Sequence, residues 1–159
     1  MNSKTKRNKT YANVKVQPPI LVLIHIVLAF VLTKLIPLPL AVPQILHTGG
    51  FILVILGFLL GLGALLVFRR ARTVRSSDRS ATRLITFGIY RFTRNPIYLG
   101  FLLMLIGMLL NAGSYWGILL APIMVILFNR LVIEQEEENL AQAFGDEYRS
   151  YRVKVRRWL

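Results

Sequence analysis

Apolar positions along the chain gather into four long blocks separated by charged or turn-forming stretches. They run from about Ile20 to Ile36, Gly49 to Phe68, Pro96 to Asn111 and Tyr115 to Ile133; the first is interrupted by His25, Thr33 and Lys34. A helix that crosses a bilayer needs roughly 17–25 residues. The third block reaches that length only if it starts at Asn95 or Pro96. Helical patterning continues past the fourth block through "NRLVIEQEEENLAQAFG", which is rich in good helix formers. Gly145 is expected to stop that helix, and Asp146 to cap a short last one. Leu140, Phe144, Tyr148, Tyr151 and Val155 recur at steps of three or four, making one apolar stripe. The segment is too polar to span, so it should lie on the membrane face or fold back over the ends of the spans. The pattern predicts an all-α fold: an integral membrane helical bundle of about four transmembrane helices plus a C-terminal helical segment at the interface. One domain covers 1–159, with a basic arm over 1–17, two spans and a basic loop over 18–85, and a remaining core over 86–159.

Charge gives this bundle a direction. Lysine and arginine crowd the N-terminal arm (Lys4, Lys6, Arg7, Lys9, Lys15), the second connection (Arg69 to Arg94) and the C-terminal segment (Arg149 to Arg157). The first connection has only Lys34, and the third, "NAGSYWG", has no charge. Basic and neutral connections alternate, so four spans with both termini cytoplasmic satisfy the positive-inside rule at each loop. The expected location is a bacterial inner membrane. The net charge of +13 on 159 residues would suggest nucleic acid in a soluble domain. With 55% hydrophobic residues and a mean hydropathy of +0.55, a membrane surface explains it better, and no nucleic-acid partner is expected. The absence of Cys removes disulfides, thiolate metal sites and a cysteine nucleophile. No small-residue cleavage site follows the first apolar block, which reads as a retained anchor.

Two motifs are candidates for chemistry. In "RFTRNPIYLG", Pro96 suits the first turn of a helix and Asn95 its cap. The free N–H groups there, with Arg91 and Arg94, would attract a carboxylate or phosphate. An ordinary capped helix with interfacial arginines explains the same residues. The second motif is "EQEEENLAQAFGDEYRSYRVKVRRW", which holds every acidic residue except Asp78. It reads either as a solvated face paired with arginines, such as Arg130 with Glu134, or as a site for a cation or hydroxyl groups. A zwitterionic ligand would suit both motifs together. "GFLLGLG" offers Gly57, Gly61 and Gly63 as a helix-packing face. His25 reads as a packed or hydrogen-bonded histidine inside the first span.

Together the motifs resemble the isoprenylcysteine carboxyl methyltransferase and phospholipid methyltransferase superfamily. The matching positions are Gly88, Tyr90, Arg91, Arg94, Asn95, Pro96, Tyr98, Glu136, Glu137, Leu140, Phe144, Gly145, Tyr148 and Tyr151, within Thr86 to Leu159. The prenylcysteine enzymes usually carry His where this chain has Asn95, so the match is closer to phospholipid enzymes and to bacterial members with Arg-Asn-Pro. The resemblance implies an integral membrane methyltransferase that uses S-adenosyl-L-methionine and no metal, with a lipid-like or prenyl-like acceptor. The region 86–159 would then be the cofactor-binding core. By the same analogy Arg94, Asn95 and Glu137 form the catalytic set. Tyr90, Arg91, Arg94, Asn95, Pro96, Tyr98, Glu136, Glu137, Phe144 and Tyr148 line the cofactor. Arg91 or Arg94 would serve its carboxylate, Glu136 and Glu137 its ammonium or ribose, and Tyr98, Phe144 and Tyr148 its adenine. The competing classes are a small transporter, for which the spans offer only His25 as an ionisable residue at depth, and a non-catalytic scaffold.

Overall fold

The computed structural model describes residues 17–73 and 84–159. The basic arm before residue 17 and the stretch 74–83, with Arg75, Arg79 and Arg83, lie outside them. The described chain is helical: α1 (Pro18–Leu35), α2 (Gln44–Thr73), a 3-10 turn (Gly88–Arg91), α3 (Pro96–Asn111), α4 (Trp116–Phe128), a π turn (Asn129–Ile133), α5 (Glu134–Phe144) and α6 (Asp146–Lys154). Three helical stretches, Pro18–Leu35, Gln44–Ala71 and Trp116–Phe144, are long and apolar enough to cross a membrane. At 16 residues α3 is shorter; it measures about 24 Å at ~1.5 Å per residue, against a hydrocarbon core of roughly 30 Å.

The bundle has two different kinds of seam. Along α2 and α3 it is built from glycine. A Cβ placed on Gly57 would come within 2.6 Å of the Gly100 carbonyl oxygen, and one on Gly107 within 2.5 Å of the Gly50 oxygen. The two backbones touch, which only residues without side chains allow. Gly57 was expected to pack in this way; Gly50, Gly100 and Gly107 complete the face. Gly61 lies beside Gly100, whereas a Cβ on Gly63 would meet only Ile89. The α1–α4 seam is instead tied by polar groups. His25, 2% exposed, hydrogen-bonds through Nε2 to the Leu120 carbonyl at 3.1 Å. Thr33 Oγ1 donates to the Ala29 carbonyl at 2.7 Å, and lies 2.7 Å from Ser114 Oγ. Both α1 and α2 pack on α3, while the two have no comparable seam with each other. Their remaining faces present Leu23, Val27, Phe30, Phe51, Leu59 and similar side chains outward, as a bilayer requires.

The core, around Leu105, Met124, Phe128, Val132 and Ile133, extends to Leu21, Ala29 and Tyr98. Below it α4 continues through the π turn into α5 without a break, as the sequence pattern predicts. Gly145, at φ 53°, ends α5. It also occupies the cap position of α6, so Asp146 is the first helical residue rather than the cap. The expected apolar stripe bends with the chain at that point. Leu140, Phe144, Tyr148, Tyr151 and Val155 gather around Leu84 in a second, smaller core.

Candidate functional site

The first turn of α3 is held from outside the helix. Asn95 occupies its cap position, but its side chain makes no cap hydrogen bond. Asn95 Nδ2 instead donates to the Arg157 carbonyl at 3.1 Å. Thr93, 1% exposed, donates its hydroxyl to the same carbonyl at 3.1 Å and accepts the Asn95 backbone N–H at 3.2 Å. The Arg94 backbone N–H donates to the Arg156 carbonyl at 3.0 Å. Trp158 completes the clasp: Nε1 donates to Asn129 Oδ1 at 3.2 Å, on the π turn, and its ring faces Phe128 at 6.5 Å. The segment after α6 thus lies across the start of α3, and Pro96 is among the most deeply buried side chains.

This clasp brings the two charged motifs together. Glu137, 7% exposed, sits between two guanidinium groups. Arg157 binds it with a fork, Nε to Oε1 at 3.1 Å and Nη2 to Oε2 at 2.8 Å. Arg94 reaches it only through Nη2, 3.2 Å from Oε1, with both side chains about 9% exposed. Arg94 Nη1 lies 3.5 Å from the Tyr148 hydroxyl, and Arg94 Nε–H is buried with no acceptor. A buried donor without a partner is costly. The other such atom among the described residues is Gln135 Oε1.

Glu136 is placed differently. Its Oε1 accepts the Tyr98 hydroxyl at 2.8 Å, and it makes no ion pair among the described residues. Tyr98 packs on Phe128 at 5.2 Å. Burial, reinforced by the Glu136 charge, pushes the Tyr90 phenol up to about 12. Burial likewise pushes Tyr151 up to about 12, so it stays a donor, and it gives its proton to the Tyr90 carbonyl at 2.7 Å. The cluster therefore has a cationic end, with two arginines around one carboxylate, and an anionic end at Glu136.

Of the residues expected from sequence, Arg94, Asn95, Pro96, Tyr98, Glu136, Glu137 and Tyr148 fall within this junction, with Tyr90 beside it. Phe144 packs with Tyr148 in the smaller core, whereas Tyr98 belongs to the main one. Arg91 points elsewhere, into a groove of about 420 Å³ lined by Glu147, Ser150 and Lys154. Sequence reasoning did not single out Arg157, Thr93, Asn129 or Trp158. Arg157 read as one more basic residue near a membrane; its signal was a cluster of carboxylates a few turns away that needed counter-charge.

Residues 45–147 match the profile of the family described as Phospholipid methyltransferase. The chain is 38% identical over 72 residues to the protein-S-isoprenylcysteine O-methyltransferase of Schizosaccharomyces pombe, covering 45% of this chain and 30% of that protein. It is 32% identical over 108 residues to a probable protein-S-isoprenylcysteine O-methyltransferase of Oryza sativa, covering 67% and 56%. It is 37% identical over 77 residues to methanethiol S-methyltransferase 1 of Bradyrhizobium diazoefficiens, covering 42% and 22%. The chain thus spans 56% or less of the length of these three relatives. No solved structure matches it. The profile match takes in α2, α3 and the Arg-Asn-Pro and Glu-Glu motifs that the bundle joins, and the chain belongs to the phospholipid methyltransferase family.

Proposed function

We propose that the protein is an integral membrane methyltransferase that takes its methyl group from S-adenosyl-L-methionine. The observation that carries this reading is the complementarity of the junction to a zwitterion. The Arg94 Nε–H is a buried donor lacking an acceptor. It lies in the group of Arg94, Arg157 and Glu137, which has one more cation than anion and suits a carboxylate. Glu136 is a half-buried carboxylate bonded to a phenol and, among the described residues, to no cation, which suits an ammonium. The amino-acid end of the donor carries both groups. When bound, the donor supplies an activated methyl on its sulfonium, and alignment is the main task left to the protein.

In this reading Arg94 holds the carboxylate, Glu136 and Tyr98 hold the ammonium, and Tyr90, Phe144 and Tyr148 supply apolar surface for the adenine. Glu137 is committed to two arginines and sets their positions. Asn95 is committed to the Arg157 carbonyl and anchors the segment that walls the site. The acceptor is a lipid-like molecule presented from the bilayer, in keeping with the three helical stretches long and apolar enough to cross it. The soluble donor reaches the site from the cytosolic side. The names of the relatives include both O- and S-methyltransferases, so acceptors with oxygen and with sulfur nucleophiles are the ones to screen.

Calorimetry on detergent-purified protein with S-adenosylhomocysteine tests the reading. The wild type is expected to bind, and Glu136→Gln to weaken binding about tenfold or more, as for a lost charge-assisted hydrogen bond of roughly 1.5–3 kcal/mol. A wild type that gives no binding heat overturns it. Transfer of methyl label from the donor into the lipid fraction of a membrane extract would then identify the acceptor.

A further inference from the structure

We propose that Arg157 is a positioning residue that keeps Arg94 open for the ligand carboxylate. This rests on the reading above and assigns the residue that prepares its anion site. A carboxylate beside a guanidinium tends to take it side-on, with two parallel N–H donors. Glu137 could take Arg94 in that way, using Nη2 and Nε. It does not: Arg157 forks both of its oxygens, at 3.1 and 2.8 Å, and Arg94 shares only Oε1 with that fork. Only Nη2 of Arg94 reaches Glu137, at 3.2 Å, and Nε–H stays buried and unclaimed. Arg157 acts as a competitor for Glu137, and the cluster retains a net positive charge.

Arg157 is fixed for this task. Its carbonyl accepts from both Thr93 and Asn95, and its neighbour Trp158 is tied to Asn129. Its side chain is 27% exposed, against 9% for Glu137. It therefore screens the Glu137 carboxylate from the outside while Arg94 lies within. Without Arg157, Glu137 would close onto Arg94 and consume the free donor.

The test compares two ligands by calorimetry: S-adenosylhomocysteine, and 5′-methylthioadenosine, which lacks the amino-acid end. Arg157→Ala is expected to lower affinity for the first about tenfold and to leave the second unchanged. Arg157→Lys should recover part of the loss. Adding Glu137→Gln to Arg157→Ala should recover it too, since a neutral amide competes poorly for Arg94; a role limited to folding predicts no such rescue. Equal losses for both ligands, or no loss for either, overturn the proposal while leaving the methyltransferase reading standing. Failure of the wild type to bind S-adenosylhomocysteine removes that reading and this inference with it.

Discussion

At the scale of single residues, what matters is which polar group already has a partner. Glu136 and Glu137 are neighbours in sequence and look equivalent there. Their surroundings separate them: one is forked by Arg157 and touched by Arg94, and the other, among the described residues, has a phenol as its polar partner. Glu137→Ala should destabilise the fold by about 3–5 kcal/mol, because it leaves the buried Arg94 uncompensated. Thermal unfolding in detergent reads this directly; an unchanged midpoint would mean that the ion pair contributes nothing. Thr93→Val is expected to cost about 1–3 kcal/mol, since this 1% exposed hydroxyl serves both the Asn95 N–H and the Arg157 carbonyl. The sequence made Asn95 legible as the residue before the helix. It could not show that the side chain turns to a carbonyl 62 residues away, because capping preferences describe only local partners.

At the scale of elements, α3 is the hinge between what the sequence shows and what it hides. Its bounds, Pro96 and Asn111, follow from proline, apolar run and turn residues, and the structure repeats them. Its tight partner on α2 was half visible, as glycines on one helix only. The four glycines of the seam oppose one another in two mutual pairs, Gly50 with Gly107 and Gly57 with Gly100, and a pairing requires knowing both helices' facing sides. Gly107→Leu would push its side chain into the α2 backbone. Overpacking costs typically ~1–3 kcal/mol where the surroundings can yield, and backbone yields least, so the expected loss of thermal stability lies at or above that range. Gly63→Ala meets only a side-chain atom at 4.0 Å and should be near neutral.

For the whole molecule, the order of the bundle is α2 on α3 and α1 on α4, with the first two helices apart although consecutive. Hydropathy gives the number of helices but is silent on their neighbours, since lipid-facing and helix-facing side chains are equally apolar. The absence of native cysteine allows a clean test. A Thr33→Cys, Ser114→Cys pair should cross-link readily under mild oxidation, because the hydroxyls it replaces are 2.7 Å apart. A Leu28→Cys, Phe58→Cys pair should not. The opposite pattern would refute the arrangement of helices.

The π turn at Asn129–Ile133 has a consequence for how this chain can vary. A π turn holds one more residue than the α turn it replaces, and one residue corresponds to about 100° of rotation along a helix. Loss of a single codon within it would leave the hydropathy profile nearly untouched. The helix would tighten to an ordinary α turn, and both glutamates would keep nearly the same phase toward Tyr98 and Arg157, whereas loss of a residue from the regular helix on either side would swing them by about 100°. A homologue one residue shorter there is therefore expected to lack the π turn and to keep both glutamates facing Tyr98 and Arg157.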